Sequence, residues 1–292
     1  MSAFMNILLG GVFHAAVLFL VAAGLQLVFG VQKIVNLACG SFYALGAYFG
    51  ITFAGYASAF GVSPWLLLPG LILSGILLGF VGPLIERLLR PVYERDESFQ
   101  LLLTFALVLM FQDVFRFIWG SNPRSLDSTY LVYGRLASGE FLVPVYNLLV
   151  IAAAIAAAVG LGAFLQRTNY GKVLRATAEN RGMAEALGVD VRAVYAIVFT
   201  IGTVLGTTAG ALVVPTAAAS LDMAVEFVIE AFAVVVIGGL GSMRGALAGA
   251  LIVGLIRAFA IVVYPEVEIL AIYLIVIGVL LLRPTGLFGK PA

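Results

Sequence analysis

Five side chains able to carry charge fall inside long apolar stretches of this sequence: His14, Asp113, Arg116, Glu230 and Arg257. Such groups are costly in hydrocarbon and mark pathways, relays or pairs between helices. Asp113 and Arg116 stand three apart near the outer end of the fourth run, a spacing that places both on one helix face, where they could pair. Glu230 and Arg257 fall at similar depths on neighbouring stretches. A contact between helices is expected, with snorkelling of each group toward the interface as the alternative. If they pair, reversing both charges restores what either single reversal removes. His14 is the one histidine and reads as a core side chain bonded to a neighbouring helix, with a ligand role as the other reading. No series of carboxylates crosses the chain as a proton relay requires, so an ion-coupled carrier is the weaker reading.

The same inventory leaves little for enzymology. A single cysteine, Cys39, precludes an internal disulfide, and one histidine supplies neither a Ser–His–Asp triad nor a zinc cluster. No G-x-x-x-x-G-K-[ST] phosphate loop occurs, since Gly171-Lys172 is followed by Val173, and neither H-E-x-x-H nor G-x-S-x-G is found. The expectation is a protein with no catalytic residues, no metal and no cofactor. A net charge of +1 without a basic run also argues against nucleic acid.

What must position these residues is a membrane bundle. Of 292 residues, 63% are hydrophobic and 11% charged, against roughly half and a quarter in soluble domains. Apolar runs near 6–30, 37–58, 65–85, 99–118, 142–165, 193–217, 227–241, 245–264 and 269–282 have helix rather than barrel-strand lengths. The fold expected is all-α, a single transmembrane domain over 1–292 with about eight or nine spans. The first run is read as a retained span, because no basic residue precedes Lys33 as a signal peptide would need. Placing the 166–192 loop in the cytoplasm puts Lys33, Arg87, Arg90, Arg95, Arg244, Arg283 and Lys290 on the same side. Only Arg124 and Arg135 remain outside, with the acidic 265–268 connection carrying Glu266 and Glu268. That asymmetry predicts an external N-terminus and a cytoplasmic C-terminus.

Small residues must supply the helix contacts, because hydrophobicity does not drive association within lipid. Gly202, Gly206 and Gly210 recur every four residues and predict a packing face on the sixth span, or else a path lined by small side chains. Gly238-Gly239-Leu240-Gly241-Ser242 puts three glycines in four positions, which disfavours helix and predicts a break or gate there.

Within the 166–192 loop, the alanine- and glutamate-rich segment from about Lys172 to Leu187 reads as a helix ended by Gly188. Met183 and Leu187 form an apolar edge beside Arg175, Glu179 and Glu185. Docking into a groove on a partner fits this mixture, and lying on the membrane surface is the alternative. No side chain stands out from the sequence as the ligand of a small substrate.

Four segments in order carry a family resemblance. They are Gly24-Leu-Gln-Leu-Val-Phe-Gly30 with Val35-Asn36-Leu37-Ala38 and Phe42 to Tyr48; Arg175-Ala176 through Ala184-Glu185-Ala186-Leu187-Gly188; Ala231 to Ser242 with Gly245-Ala246; and Leu282 to Gly289. Over nearly its whole length the chain resembles permease subunits of branched-chain amino-acid ABC importers, of the LivH type. The resemblance implies a multi-pass protein of the bacterial inner (plasma) membrane. It implies partners too: a LivM-like permease, two ABC ATPase subunits and a periplasmic substrate-binding protein. It assigns ATPase coupling to Arg175, Glu179, Ala184, Glu185, Ala186 and Gly188. The implied cargo is a branched-chain or related amino acid, with urea, amides or aromatic acids as alternatives in similar permeases. The chain departs from the family at Cys39, where histidine is common, and near Arg244, where proline is frequent.

Overall fold

The computed structural model describes residues 2–93, 95–126, 132–138, 141–264, 267–283 and 285–289. Glu266, Pro284 and Lys290, invoked above, lie outside the described residues. Each of the nine apolar runs contains helix. In chain order these are α1 (Ser2–Gln32), α2 (Cys39–Ala59), α3 (Leu67–Gly79) and α4 (Gly82–Leu89), then α5 (Glu97–Trp119) and α6 (Val145–Arg167). Two short helices follow, α7 (Asn169–Glu179) and α8 (Arg181–Ala186), before α9 (Val191–Val213), α10 (Met223–Gly238), α11 (Met243–Val263) and α12 (Glu268–Leu282). A small antiparallel hairpin, β1 (Arg135–Ser138) with β2 (Phe141–Pro144), precedes α6.

Six helical segments are long and apolar enough to cross a membrane: Asn6–Gln32, Pro64–Val92, Ser98–Trp119, Val145–Arg167, Val191–Val213 and Met243–Val263. The protein is therefore a polytopic helical membrane protein. α10 and α12 have 16 and 15 residues, short of the roughly 20 a perpendicular span needs.

α1 is the hub. Val17 through Val28 are buried without interruption, as befits a helix apolar all round, and α6, α9, α10 and α11 surround it. α2, α3 and α4 pack against α9, while α12 lies on α10 and α11. α5 and α6 turn much of their apolar surface outward, as lipid-facing helices do. Lys33 adopts φ 60°, a left-handed geometry that stops α1 at Gln32.

Glycine makes the seams possible. A Cβ on Gly210 would run into the Tyr43 carbonyl oxygen and come within 2.8 Å of its carbon and 2.9 Å of Ala47 N, all backbone of α2. A Cβ on Gly24 would meet Gly202 O at 2.8 Å, so α1 and α9 cross at paired glycines. Gly206 differs, because a Cβ there would find only ordinary contacts, the nearest Phe42 Cβ at 3.4 Å. The four-residue spacing thus serves two contacts, Gly202 against α1 and Gly206 and Gly210 against α2, with Gly206 the looser point. Hydroxyls and amides add bonds from α9 to α3, α6 and α1: Thr207 Oγ1 to Gly75 O at 2.7 Å, Tyr146 OH to Leu212 O at 2.7 Å, and Gln32 Nε2 to Tyr195 O at 2.9 Å.

The connections sort to two ends. At one, Tyr133 accepts from Leu68 N and donates to Trp65 O, both at 2.9 Å, while Arg124 and Ala219 exchange backbone bonds of 3.0 and 2.8 Å. That joins the 59–66, 120–144 and 214–222 connections. At the other, residues 285–289 lie against the α10–α11 turn, through Leu287 N to Ile237 O at 2.9 Å and Phe288 N to Gly238 O at 3.0 Å.

Two expectations change. The single helix foreseen from Lys172 to Leu187 is two, because Asn180 leaves helical geometry (φ −150°, ψ 99°) and its Oδ1 accepts from Met183 N at 2.9 Å. An asparagine that caps the next turn outcompetes continuation. Among the described residues, no ion pair joins Asp113 to Arg116.

Candidate functional site

Three places gather the residues singled out from the sequence. The first is the end of the molecule bearing α7 and α8. Thr168 caps α7, its Oγ1 accepting from Gly171 N at 3.0 Å, and Asp190 caps α9 by accepting from Arg192 N and Ala193 N. α8 is closed just beyond Ala186 by Gly188, whose φ of 85° suits glycine, with Val189 N bonded back to Ala184 O at 3.0 Å. Ala184 is buried beneath the helix, while Arg175, Glu179, Glu185, Ala186 and Gly188 are exposed. Met183 and Leu187 stand out into solvent at 59% and 78% exposure. Glu185 pairs with Arg181 at 3.2 Å, and the Arg181 guanidinium sits 5.8 Å above the Tyr195 ring. An apolar edge on a capped, charged turn is a surface shaped for contact rather than for the core.

Beside it opens a cavity of about 690 Å³ between α4, α8 and the start of α9, lined among others by Glu86, Arg90, Tyr93, Asp190 and Tyr195. Glu86 is wholly buried, and its pairing with Arg90 Nη2 at 2.8 Å offsets the cost of its charge. Burial, reinforced by the Glu86 carboxylate, pushes the Tyr93 hydroxyl well above its ordinary range. It therefore stays a donor, 3.4 Å from Glu86 Oε1. This network was not anticipated from the sequence. Its signal was the four-residue spacing of Glu86 and Arg90.

The second place is the glycine turn. α10 stops at Gly238, Gly239 and Gly241 take φ of 96° and 81°, and Ser242 caps α11 through Oγ to Gly245 N at 3.1 Å. Buried Gln26 of α1 spans the turn, donating from Nε2 to Gly239 O at 2.9 Å and accepting from Gly241 N at 2.6 Å. The break is therefore clamped to the hub helix and covered by the tail. Gln26→Leu leaves the part-buried Gly241 N–H unpaired and the buried Gly239 carbonyl with only Ser242 N at 3.2 Å, and should cost about 1–2 kcal/mol. A lowered thermal midpoint in detergent checks this, and an unchanged midpoint contradicts it.

The third place is a charge cluster joining four helices. Arg257 Nη1 of α11 lies 3.0 Å from Glu230 Oε1 of α10, and Arg257 Nε donates to Glu268 Oε1 of α12. His14 of α1 completes it, with Nε2 2.8 Å from both Glu230 Oε2 and Arg257 Nη1, and Nδ1 3.2 Å from Arg257 Nη1. The sequence places Glu268 in an acidic connection on the outer side. The structure instead places it at the first residue of α12, against Arg257. Arg257→Met should destabilise by about 2–3 kcal/mol, below the roughly 3–5 of a fully buried pair, because these side chains keep 13–27% exposure. Adding Glu230→Gln should recover part of that loss in thermal unfolding. No recovery would mean that the groups do not act as a unit.

The comparisons with known proteins bear directly on this architecture. The model of the family described as "Branched-chain amino acid transport system / permease component" matches residues 7–283. The chain belongs to that family. Among its relatives, the high-affinity branched-chain amino acid permease BraD of Pseudomonas aeruginosa is 27% identical over 93% of this chain and 91% of its own length. LivH of Escherichia coli is 27% identical over 99% and 96%. A probable LivH of Methanocaldococcus jannaschii is 28% identical over 97% and 92%. The permease is thus a LivH-like, multi-pass transport subunit, and its three gatherings of residues can be read as parts of a transport device.

Proposed function

We propose that this chain forms one of two membrane halves of an ABC importer for branched-chain amino acids. A LivM-like permease supplies the other half, two ATPases the energy, and a periplasmic protein the cargo, in the inner (plasma) membrane of a bacterium. The observation that carries the reading is α7–α8. The sequence holds no nucleotide-binding loop, yet it offers a capped two-helix projection with Met183 and Leu187 exposed at its tip. A subunit that cannot hydrolyse ATP but presents such an edge is built to be pushed.

The sorting of connections supports nine crossings with the N-terminus outside. The two grouped ends match the alternation that nine passes require, and the basic residues then collect on the side of α7 and α8. On this reading α10 and α12 cross, their lengths eked out by the glycine turn and the adjoining loops. Closure of the ATPase pair on ATP moves α8. The Gly188–Asp190 turn delivers that displacement to α9, against which α1, α2, α3 and α4 pack. Rigid seams at Gly24–Gly202 and Gly210–Tyr43 make α9 and its neighbours tilt together, exchanging outward for inward openings.

The test is uptake into proteoliposomes of the chain assembled with its neighbouring-gene permease, ATPases and binding protein. Leucine, isoleucine or valine should accumulate only with ATP and all four partners. Accumulation of urea or an aromatic acid in their place would replace the substrate assignment. Accumulation by the chain alone would overturn the reading.

A further inference from the structure

At the end of the bundle bearing the α1 N-terminus lies a cavity of about 730 Å³, within the range of small-ligand pockets. His14, Glu230 and Arg257 line it, Glu230 and Arg257 about two turns and His14 about three turns in from that end of their helices at 3.6 residues per turn. Its floor is the stacked pair Tyr43–Phe227, ring centroids 3.7 Å apart. Phe13, Val213, Ile261 and Val262 supply apolar wall.

The polar groups are asymmetrically used. Arg257 spends Nε on Glu268 and Nη1 on Glu230 and His14, and among the described residues its Nη2 has no bond. Glu226 lines the cavity one helical turn before Glu230, and its carboxylate makes no hydrogen bond or ion pair among the described residues. The wall thus offers an unengaged acceptor carboxylate, an unengaged guanidinium edge and an apolar surface. Two carboxylates already face the one guanidinium, so the cluster as a whole favours an entering cation over an entering anion.

We propose that this cavity is a subsite for an α-amino-acid zwitterion, with Glu226 taking the ammonium, Arg257 Nη2 the carboxylate, and the wall at Phe13, Phe227 and Ile261 the alkyl side chain. Glu230, Glu268 and His14 are positioning residues that fix the guanidinium. The inference rests on the import reading and adds where the cargo is held within the membrane half. Zwitterion selectivity follows from the charges: the ammonium is the stronger handle, and the Nη2 edge distinguishes an amino acid from a bare amine. A bare carboxylate is repelled by the three acids.

Ala217 is exposed and lines the cavity, and Cys39 is buried, so Ala217→Cys gives a reporter with little background. The experiment measures its rate of modification by N-ethylmaleimide in nanodiscs of the full chain. The probes are L-leucine, 3-methylbutylamine (no carboxylate) and 4-methylpentanoate (no ammonium). Leucine should slow modification most, the amine less, and the carboxylate not at all. Glu226→Gln should weaken protection by leucine about tenfold, the loss of one charge-assisted bond. Glu226 is exposed and pairs with nothing described, so this variant should fold normally, and an unchanged elution profile checks that. Equal protection by all three compounds, none by leucine, or protection unmoved by Glu226→Gln overturns the subsite. Leucine uptake by the assembled complex separates the two claims. Normal uptake with no protection sinks the subsite alone, whereas protection with no leucine uptake by the complex sinks the import reading and leaves the subsite standing.

Discussion

Valine at position 210 is expected to leave little folded protein in the membrane. The obstruction at Gly210 is the backbone of Tyr43 and Ala47, not the flexible end of a side chain, so relief requires α2 and α9 to separate. α2 makes its most extensive contacts with α9, and α9 bears on α1, α3 and α4 as well. Overpacking of a tight core commonly costs about 1–3 kcal/mol. Here the shift propagates along the α2–α9 contact, where a Cβ on Gly46 would likewise run into the Thr207 backbone, and a loss of about 3 kcal/mol or more is expected. Membrane yield and monodispersity in detergent should both collapse. Gly206→Ala is the matched control, since its new methyl meets Phe42 Cβ at an ordinary 3.4 Å. It should keep or slightly raise the thermal midpoint, because alanine stiffens the unfolded chain. Equal damage at 206 and 210 would show that the seam is not as described.

The second large effect concerns work rather than stability. Gly188→Trp and Glu185→Trp alter exposed positions around the tip of α8. At Gly188 nothing lies within 4 Å of an added Cβ, although φ of 85° strains any other residue. Both variants should insert normally. In the assembled complex, substrate-stimulated ATPase activity should fall at least about tenfold, because one well-packed contact at an interface centre is worth more than 1–2 kcal/mol. Stimulation retained at the wild-type level would remove α8 from the coupling path.

Much of this was legible in the sequence because it follows from local composition. The nine apolar runs became helices, since backbone groups in lipid leave few other choices. The glycines at 238, 239 and 241 fell where α10 stops. Glu230 and Arg257 could be weighed as a pair because they fall at similar depths in neighbouring runs and charge there is rare. What was not legible depends on distant chain segments. Gln26, one uncharged residue in α1, gave no hint that it would hold Gly239 and Gly241, more than 200 residues away. The segments 238–242 and 285–289 were recognised separately, and only the fold shows them touching. Glu226 and Arg257 lie at ordinary spacing for two unrelated charges, and no one-dimensional pattern nominates them as two walls of one cavity. The break at Asn180 was readable, since asparagine before Arg-Gly-Met is a helix-start signal, but the run of good helix formers around it masked the cue.

The claim on which the rest depends is that α7 and α8 project into the cytoplasm and receive the ATPases. Leu187→Cys tests it directly, by labelling with a membrane-impermeant maleimide in sealed vesicles of either orientation. Modification should occur in inverted vesicles and not in right-side-out ones, and bound ATPase subunits should shield the site. Labelling from the periplasmic face, or equal labelling with and without the ATPases, would contradict it.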